Sequence, residues 1–147
     1  MVQTPNGLKA IETFKPGDLV YSKDQFTQAP GVRPVVATKQ TLDQLLYEVV
    51  VKNAQGQTET YTTTSEHPFW VTNGPASGQW LKASLLQAGL QLTNALGETL
   101  EVVSQTALEQ TGTVYNIEVH EHSTYHVGEM GVWVHNANCC ADNFLNR

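Results

Sequence analysis

The run Val134-His135-Asn136-Ala137 places an imidazole directly before an asparagine near the end of the sequence. Asparagine carries a reaction of its own. Its side-chain amide nitrogen can attack its own main-chain carbonyl, forming a succinimide and releasing whatever follows. The uncatalysed step is slow, because an amide is a poor nucleophile and a peptide nitrogen a poor leaving group. A neighbouring acid that donates to the carbonyl or to the departing nitrogen helps, and His135 is such a group. A positioned acid–base contributes roughly 10²–10⁴-fold. Holding the amide against the carbonyl with water excluded supplies more. The competing reading is plainer: Asn136 lets a strand leave into a turn.

Other residues could also do chemistry. Thr64-x-x-His67 lies within "TTTSEHPFWV", and on its own fits a turn histidine capping a backbone group equally well. His120, His122 and His126 are spaced to lie on one side of an extended strand, close in sequence to His135. Two or three such imidazoles could hold a metal. Alternating histidines on an exposed strand face are common, however, and no Cys or Asp completes a fixed-spacing motif. No metal and no cofactor is expected. Cys139 and Cys140 are adjacent and pair with each other only under strain, so the body of the chain holds no catalytic thiol and no disulfide framework.

The elements that must carry these residues read as β. "LYEVVVKN" (46–53), "TETYTTT" (58–64), "LEVVSQTAL" (100–108), "GTVYNIEVHEH" (112–122) and "GVWVHN" (131–136) are rich in Val, Ile, Tyr and Thr. Turn clusters separate them: Pro5-Asn6-Gly7, Pro16-Gly17-Asp18, Ala54-Gln55-Gly56, Asn73-Gly74-Pro75 and Leu96-Gly97. Short helices are expected only around Leu81–Leu86 and Leu8–Phe14. Trp70, Trp80 and Trp133 read as packing residues.

The pattern also repeats. Leu46-Tyr47-Glu48-Val49-Val50-Val51 is echoed by Val114-Tyr115-Asn116-Ile117-Glu118-Val119. Thr60-Tyr61 leads to Trp70-Val71 as Thr124-Tyr125 leads to Trp133-Val134. Leu8-Lys9-Ala10 leads to Gly17-Asp18-Leu19-Val20 as Leu81-Lys82-Ala83 leads to Gly89-Leu90-Gln91-Leu92. Three echoes in the same order imply a duplicated β unit folded with approximate two-fold symmetry.

The 147 residues suit one domain, 40% of them hydrophobic, with a core of ordinary size. A formal charge of −6 and scattered basic residues argue against a nucleic-acid surface. No stretch approaches the roughly 20 apolar residues of a membrane span, and no basic-then-apolar leader follows Met1. An acidic monomer is the expectation.

"VQTPNGLKAIETFKPGDLV", "TTTSEHPFWV" and "GTVYNIEVHEHSTYHVGEMGVWVHN" together resemble the Hint superfamily of inteins, hedgehog autoprocessing domains and bacterial intein-like domains. The likeness is greatest to the pretoxin Hint domains that precede toxin tips in bacterial polymorphic toxins. It implies an all-β horseshoe of twisted hairpins with pseudo-two-fold internal duplication, spanning residues 1–136. Residues 137–147 are then a C-terminal flank, the start of a downstream segment.

In that family a Cys or Ser a few residues before the segment matched by Val2-Gln3-Thr4 attacks the preceding carbonyl. The resemblance makes Thr64 and His67 its helpers. This sequence opens at Met1 with neither residue ahead of the motif, so no N-terminal acyl shift is expected of it as written. His135 matches the penultimate histidine and Asn136 the cyclising asparagine. Ala137 stands where splicing relatives carry Cys, Ser or Thr, which implies cleavage without ligation. Many relatives have His just before Thr-Tyr in the last block, where this chain has Ser123. His122, one residue earlier, substitutes only if the backbone rotates, because adjacent strand residues point to opposite faces.

The implied function is a single-turnover autoproteolytic domain, not a multiple-turnover enzyme. Its substrate is its own chain and its partner a toxin or effector domain downstream in cis, within a secreted or cell-surface bacterial toxin. The alternative is a catalytically idle Hint-fold linker or interaction module.

Overall fold

The computed structural model describes residues 1–136, and the Ala137 position, Cys139, Cys140 and the rest of the flank lie outside them. Eleven strands form two antiparallel sheets. They are β1 (Val2–Thr4), β2 (Gly7–Lys9), β3 (Leu19–Lys23), β4 (Pro30–Lys52), β5 (Thr58–Thr64) and β6 (Pro68–Val71) in the first part. After them come β7 (Gln79–Lys82), β8 (Gln91–Thr93), β9 (Thr99–Val119), β10 (Thr124–Val127) and β11 (Val132–His135). One sheet runs in the order β2-β1-β10-β11-β6-β7. The other runs β3-β4-β9-β8, with β5 on β4.

The expected segments 100–108 and 112–122 prove to be one strand, β9, which ends at Val119. The expected strand at 46–53 is only about the last third of β4, whose start at Pro30 is masked in the sequence by Pro30 and Pro34. These two long strands pair from Val35 to Lys52 and from Glu101 to Val119. The ladder breaks between Thr41 and Gln44 and between Leu45 and Tyr47, where Asp43 (φ 54°) and Glu109 (φ 51°) adopt left-handed backbone. Bulges of this kind bend a ribbon and sharpen its twist, so one pair of strands serves both halves of the molecule.

The duplication is visible in individual hydrogen bonds. Gly17 N–H donates to Val35 O and Val35 N–H to Asp18 O, at 2.8 and 2.7 Å. In the second half Gly89 N–H donates to Val102 O and Val102 N–H to Leu90 O, at 2.9 and 2.8 Å. Both glycines have strongly positive φ, 99° and 95°, which keeps a side chain out of the turn.

The two short helices shrink to single 3-10 turns, Ile11–Thr13 and Ala83–Leu85. Strands β2 and β7 run up to them, and each is followed by a buried anchor, Phe14 or Leu86. That leaves space for one turn, and a helix so short gains too little to persist. The core is built from Val2, Val20, Val35, Val49, Leu92, Leu100, Ile117 and Val132, nearly all inaccessible.

The turn joining β10 to β11 is stapled from outside. Glu59 accepts the N–H groups of Glu129 and Met130 at 2.9 and 3.0 Å and the Tyr61 hydroxyl at 2.5 Å. Gly128 (φ 77°) packs so tightly under this carboxylate that an added Cβ would lie 2.6 Å from it. Gly128→Ala is therefore expected to destabilise the domain by about 1–3 kcal/mol, read as a lowered urea midpoint with unchanged slope. An unchanged midpoint would mean the staple yields freely.

Candidate functional site

Asn136 follows β11 and is 5% exposed. Its N–H donates to Ser123 O at 2.9 Å. Its carbonyl oxygen, on the bond that cyclisation would break, accepts a hydrogen bond from Asn116 Nδ2. Asn116 is held from behind: its Oδ1 accepts the Tyr125 hydroxyl at 2.8 Å and the Ile117 N–H at 2.9 Å. With Oδ1 doubly occupied by donors, only the NH₂ group can face the Asn136 carbonyl. A fixed donor on a carbonyl that becomes tetrahedral is an oxyanion-hole element. Asn116 was missed in the sequence. It sits on the polar face of "VYNIEV", where a polar residue is ordinary, so only its partner reveals it.

His135 ends β11. Cross-strand pairing puts Phe69, Tyr125 and Val134 on one face of the sheet, so Trp133 and His135 lie on the other. There His135 packs edge-on to Trp80 at 5.1 Å, within a cluster in which Trp70, Trp80 and Trp133 are 4.8–5.4 Å apart. The three tryptophans are packing residues, as expected. The His135 Nε2 lies 2.8 Å from Gln25 Oε1. Burial pushes the imidazole down to about 4, so it is neutral at physiological pH.

On the opposite face opens a cleft of ≈ 830 Å³ lined by Met1, Thr64, His67, Asn116 and Tyr125, among others. The His67 ring packs edge-on against Tyr125 and Phe69, with centroids 6.3 and 5.9 Å away. Burial pushes it down to about 4, and the His135 charge acts in the same direction. Thr64 ends β5 and accepts the His67 N–H at 3.4 Å through its carbonyl. The Thr-x-x-His pair and the Asn116–Tyr125 pair therefore share one cleft, while His135 approaches the end of β11 from the other side.

His122 is placed elsewhere. Residues 120–123 form a turn, with Glu121 (φ 61°) and Ser123 (φ 60°) left-handed. The strand geometry expected for His120, His122 and His126 does not hold, and the three diverge. His120 is exposed, 3.9 Å from Glu121. His122 is buried, with Nδ1 2.6 Å from Ser22 Oγ. His126 is 1% exposed, its Nδ1 3.0 Å from Gly131 O. Among the described residues no group of three or more His, Cys, Asp or Glu is arranged to hold a metal. Nor is any described helix long and apolar enough to cross a membrane.

Solved structures with this arrangement define the class. The Bacterial Intein-Like domain from Clostridium thermocellum superposes with a TM-score of 0.79 at 32% identity, covering 92% of this chain and 94% of that one. Two inteins share the fold at lower identity. The MchDnaB-1 intein has a TM-score of 0.70 at 22% identity over 92% and 95% of the two chains. A DnaB intein from Synechocystis sp. PCC 6803 has 0.68 at 17% over 92% and 92%. Among curated proteins none matches the chain. The protein is thus an intein-like Hint domain, built on the architecture of self-processing domains. Within that class the chain belongs to the Pretoxin HINT domain family, whose model matches residues 1–137. Pretoxin membership implies a bacterial toxin context with an effector linked downstream in cis.

Proposed function

We propose that this domain cleaves its own chain after Asn136. Asn136 Nδ2 attacks the Asn136 carbonyl carbon, forming a C–N bond and a tetrahedral oxyanion. The bond to the Ala137 nitrogen then breaks. One proton passes from Nδ2 to that nitrogen, leaving a C-terminal succinimide and a free amine, with no co-reactant consumed. The observation that carries the reading is the Asn116 hydrogen bond to the Asn136 carbonyl oxygen, inside a buried site. Neutral His135 is suited to carry the proton, taking it from Nδ2 and returning it to the leaving nitrogen. Thr64 and His67 face the cleft where an upstream scissile carbonyl would lie, in the helper role their motif implies. Residues 1–136 are the processing unit and 137–147 the flank that cleavage separates. Ala137 has no nucleophile, so release without ligation follows. In the parent protein the product is a freed effector, from a monomeric domain of a secreted or cell-surface toxin.

A second reading, an idle Hint-fold linker, is favoured by one observation. His122, the nearest replacement for the histidine absent at Ser123, is committed to Ser22. Intact mass of the purified chain, followed over days at neutral pH, separates the two. Cyclisation leaves residues 1–136 one water lighter than the hydrolysed acid. A fragment at the acid mass from the first time point, or no fragment at all, counts against cyclisation.

A further inference from the structure

The β3–β4 turn (24–28) is closed by hydrogen bonds to the Asp24 carboxylate and backbone. Asp24 Oδ1 accepts the N–H groups of Phe26 and Thr27 at 2.8 and 2.9 Å, and Gln28 N–H donates to Asp24 O at 2.8 Å. Asp24 N–H closes the turn on Ala29 O at 2.9 Å. The Gln25 side chain is no part of this network. It reaches instead from the turn across to the last residue of β11, a separation of 110 positions in sequence, and meets His135 Nε2. An amide oxygen only accepts, so the contact puts the imidazole proton on Nε2.

We propose that Gln25 is a positioning residue for self-processing: it fixes His135 as the Nε2–H tautomer, wedged against Trp80, so that Nδ1 is the nitrogen that handles the reacting proton. The proposal rests on the reading of function above. As the Asn136 Nδ2–C bond forms, His135 Nδ1 takes one Nδ2 proton, and the same proton passes to the Ala137 nitrogen as it leaves. The second proton stays on His135 Nε2 throughout, donated to Gln25 Oε1, which stabilises the transient imidazolium charge. Among the groups that bear on the imidazole are Gln25 from the β3–β4 turn and Trp80 from β7, and its charge in turn acts on His67 across the sheet.

Two measurements test it. In the full chain carrying Asn136→Ala, which cannot cyclise, ¹⁵N shifts of the His135 ring report the tautomer without any cleavage. The expected result is a pure Nε2–H form that becomes mixed in Gln25→Ala and persists in Gln25→Glu. In the cleavable chain Gln25→Ala slows release by about tenfold or more, at an unchanged melting temperature because Asp24 holds the turn. Gln25→Glu keeps the acceptor and adds a charge that favours imidazolium, so it retains activity at neutral pH. An unaltered tautomer in Gln25→Ala overturns the proposal, as does a tautomer that becomes mixed in Gln25→Glu. A chain that never cleaves while its tautomer follows Gln25 refutes the proposed function and leaves the hold on the imidazole established.

Discussion

Asn136→Ala leaves the chain at full mass at every time point, and Asn116→Ala slows release of residues 137–147 by about 10²–10³-fold. The first follows because alanine has no nucleophile. The second follows because the Asn116 amide is aimed at the atom that becomes the oxyanion, with Tyr125 and Ile117 fixing its orientation. A donor already in place needs no reorganisation as charge develops, which is why one such bond outweighs its value in the resting state. Asn116→Asp puts a carboxylate against the same oxygen and is expected to slow the step at least as much. Tyr125→Phe keeps the ring but frees Oδ1 from one donor, allowing the amide to turn, and has a smaller effect of about tenfold. The check is the first-order rate from intact mass, with melting temperatures confirming that each variant folds. Parental rates in Asn116→Ala would reduce that hydrogen bond to packing.

Stability falls steeply as pH drops from about 6.5 toward 4, before the carboxylates protonate. His67, His126 and His135 are each pushed down to about 4 by burial, from an ordinary value of 6.5. Between those limits the unfolded chain binds protons that the folded chain refuses, so unfolding becomes easier as pH falls. The stabilisation is complete above 6.5, is lost through the window, and changes no further below 4. Each histidine contributes about 1.4 kcal/mol per pH unit, so three give roughly 4 kcal/mol per unit near pH 5. Domains of this size have about 5–15 kcal/mol in total, and this one is expected to unfold before pH 4 is reached. His122 is shifted the same way and adds to the slope. Asp18 and Asp24 lie below their ordinary 3.8, chiefly through backbone hydrogen bonds, and act only at lower pH. Urea midpoints at pH 7, 6 and 5 measure the slope, and His126→Asn should reduce it by about one third. A flat profile across that range would show that the imidazoles ionise in place.

Much of this molecule was legible before folding. Val, Tyr and Thr in short runs between Gly and Asn turns demand strands, because β-branched and aromatic side chains suit a pleated surface. The echoed pairs marked a duplication that the Gly17 and Gly89 hydrogen bonds reproduce. Boundaries were harder. Where β9 carries Glu109 in a left-handed bulge, local pattern divides one strand into two. The histidine stripe failed for a related reason: period-two reasoning holds only while the chain stays extended, and Glu121 and Ser123 turn it.

The sequence alone determined which groups exist to react. His135 beside Asn136, and Thr64 three residues from His67, are covalent neighbours or nearly so, and their chemistry is local. What those groups face is another matter. Asn116 on the Asn136 carbonyl, Gln25 on His135 and Ser22 on His122 join residues 20, 110 and 100 positions apart. Such contacts exist only because two sheets close over a shared bent ribbon. No local pattern encodes which polar side chain meets which, since each looks like any other polar residue on a strand until its partner strand arrives.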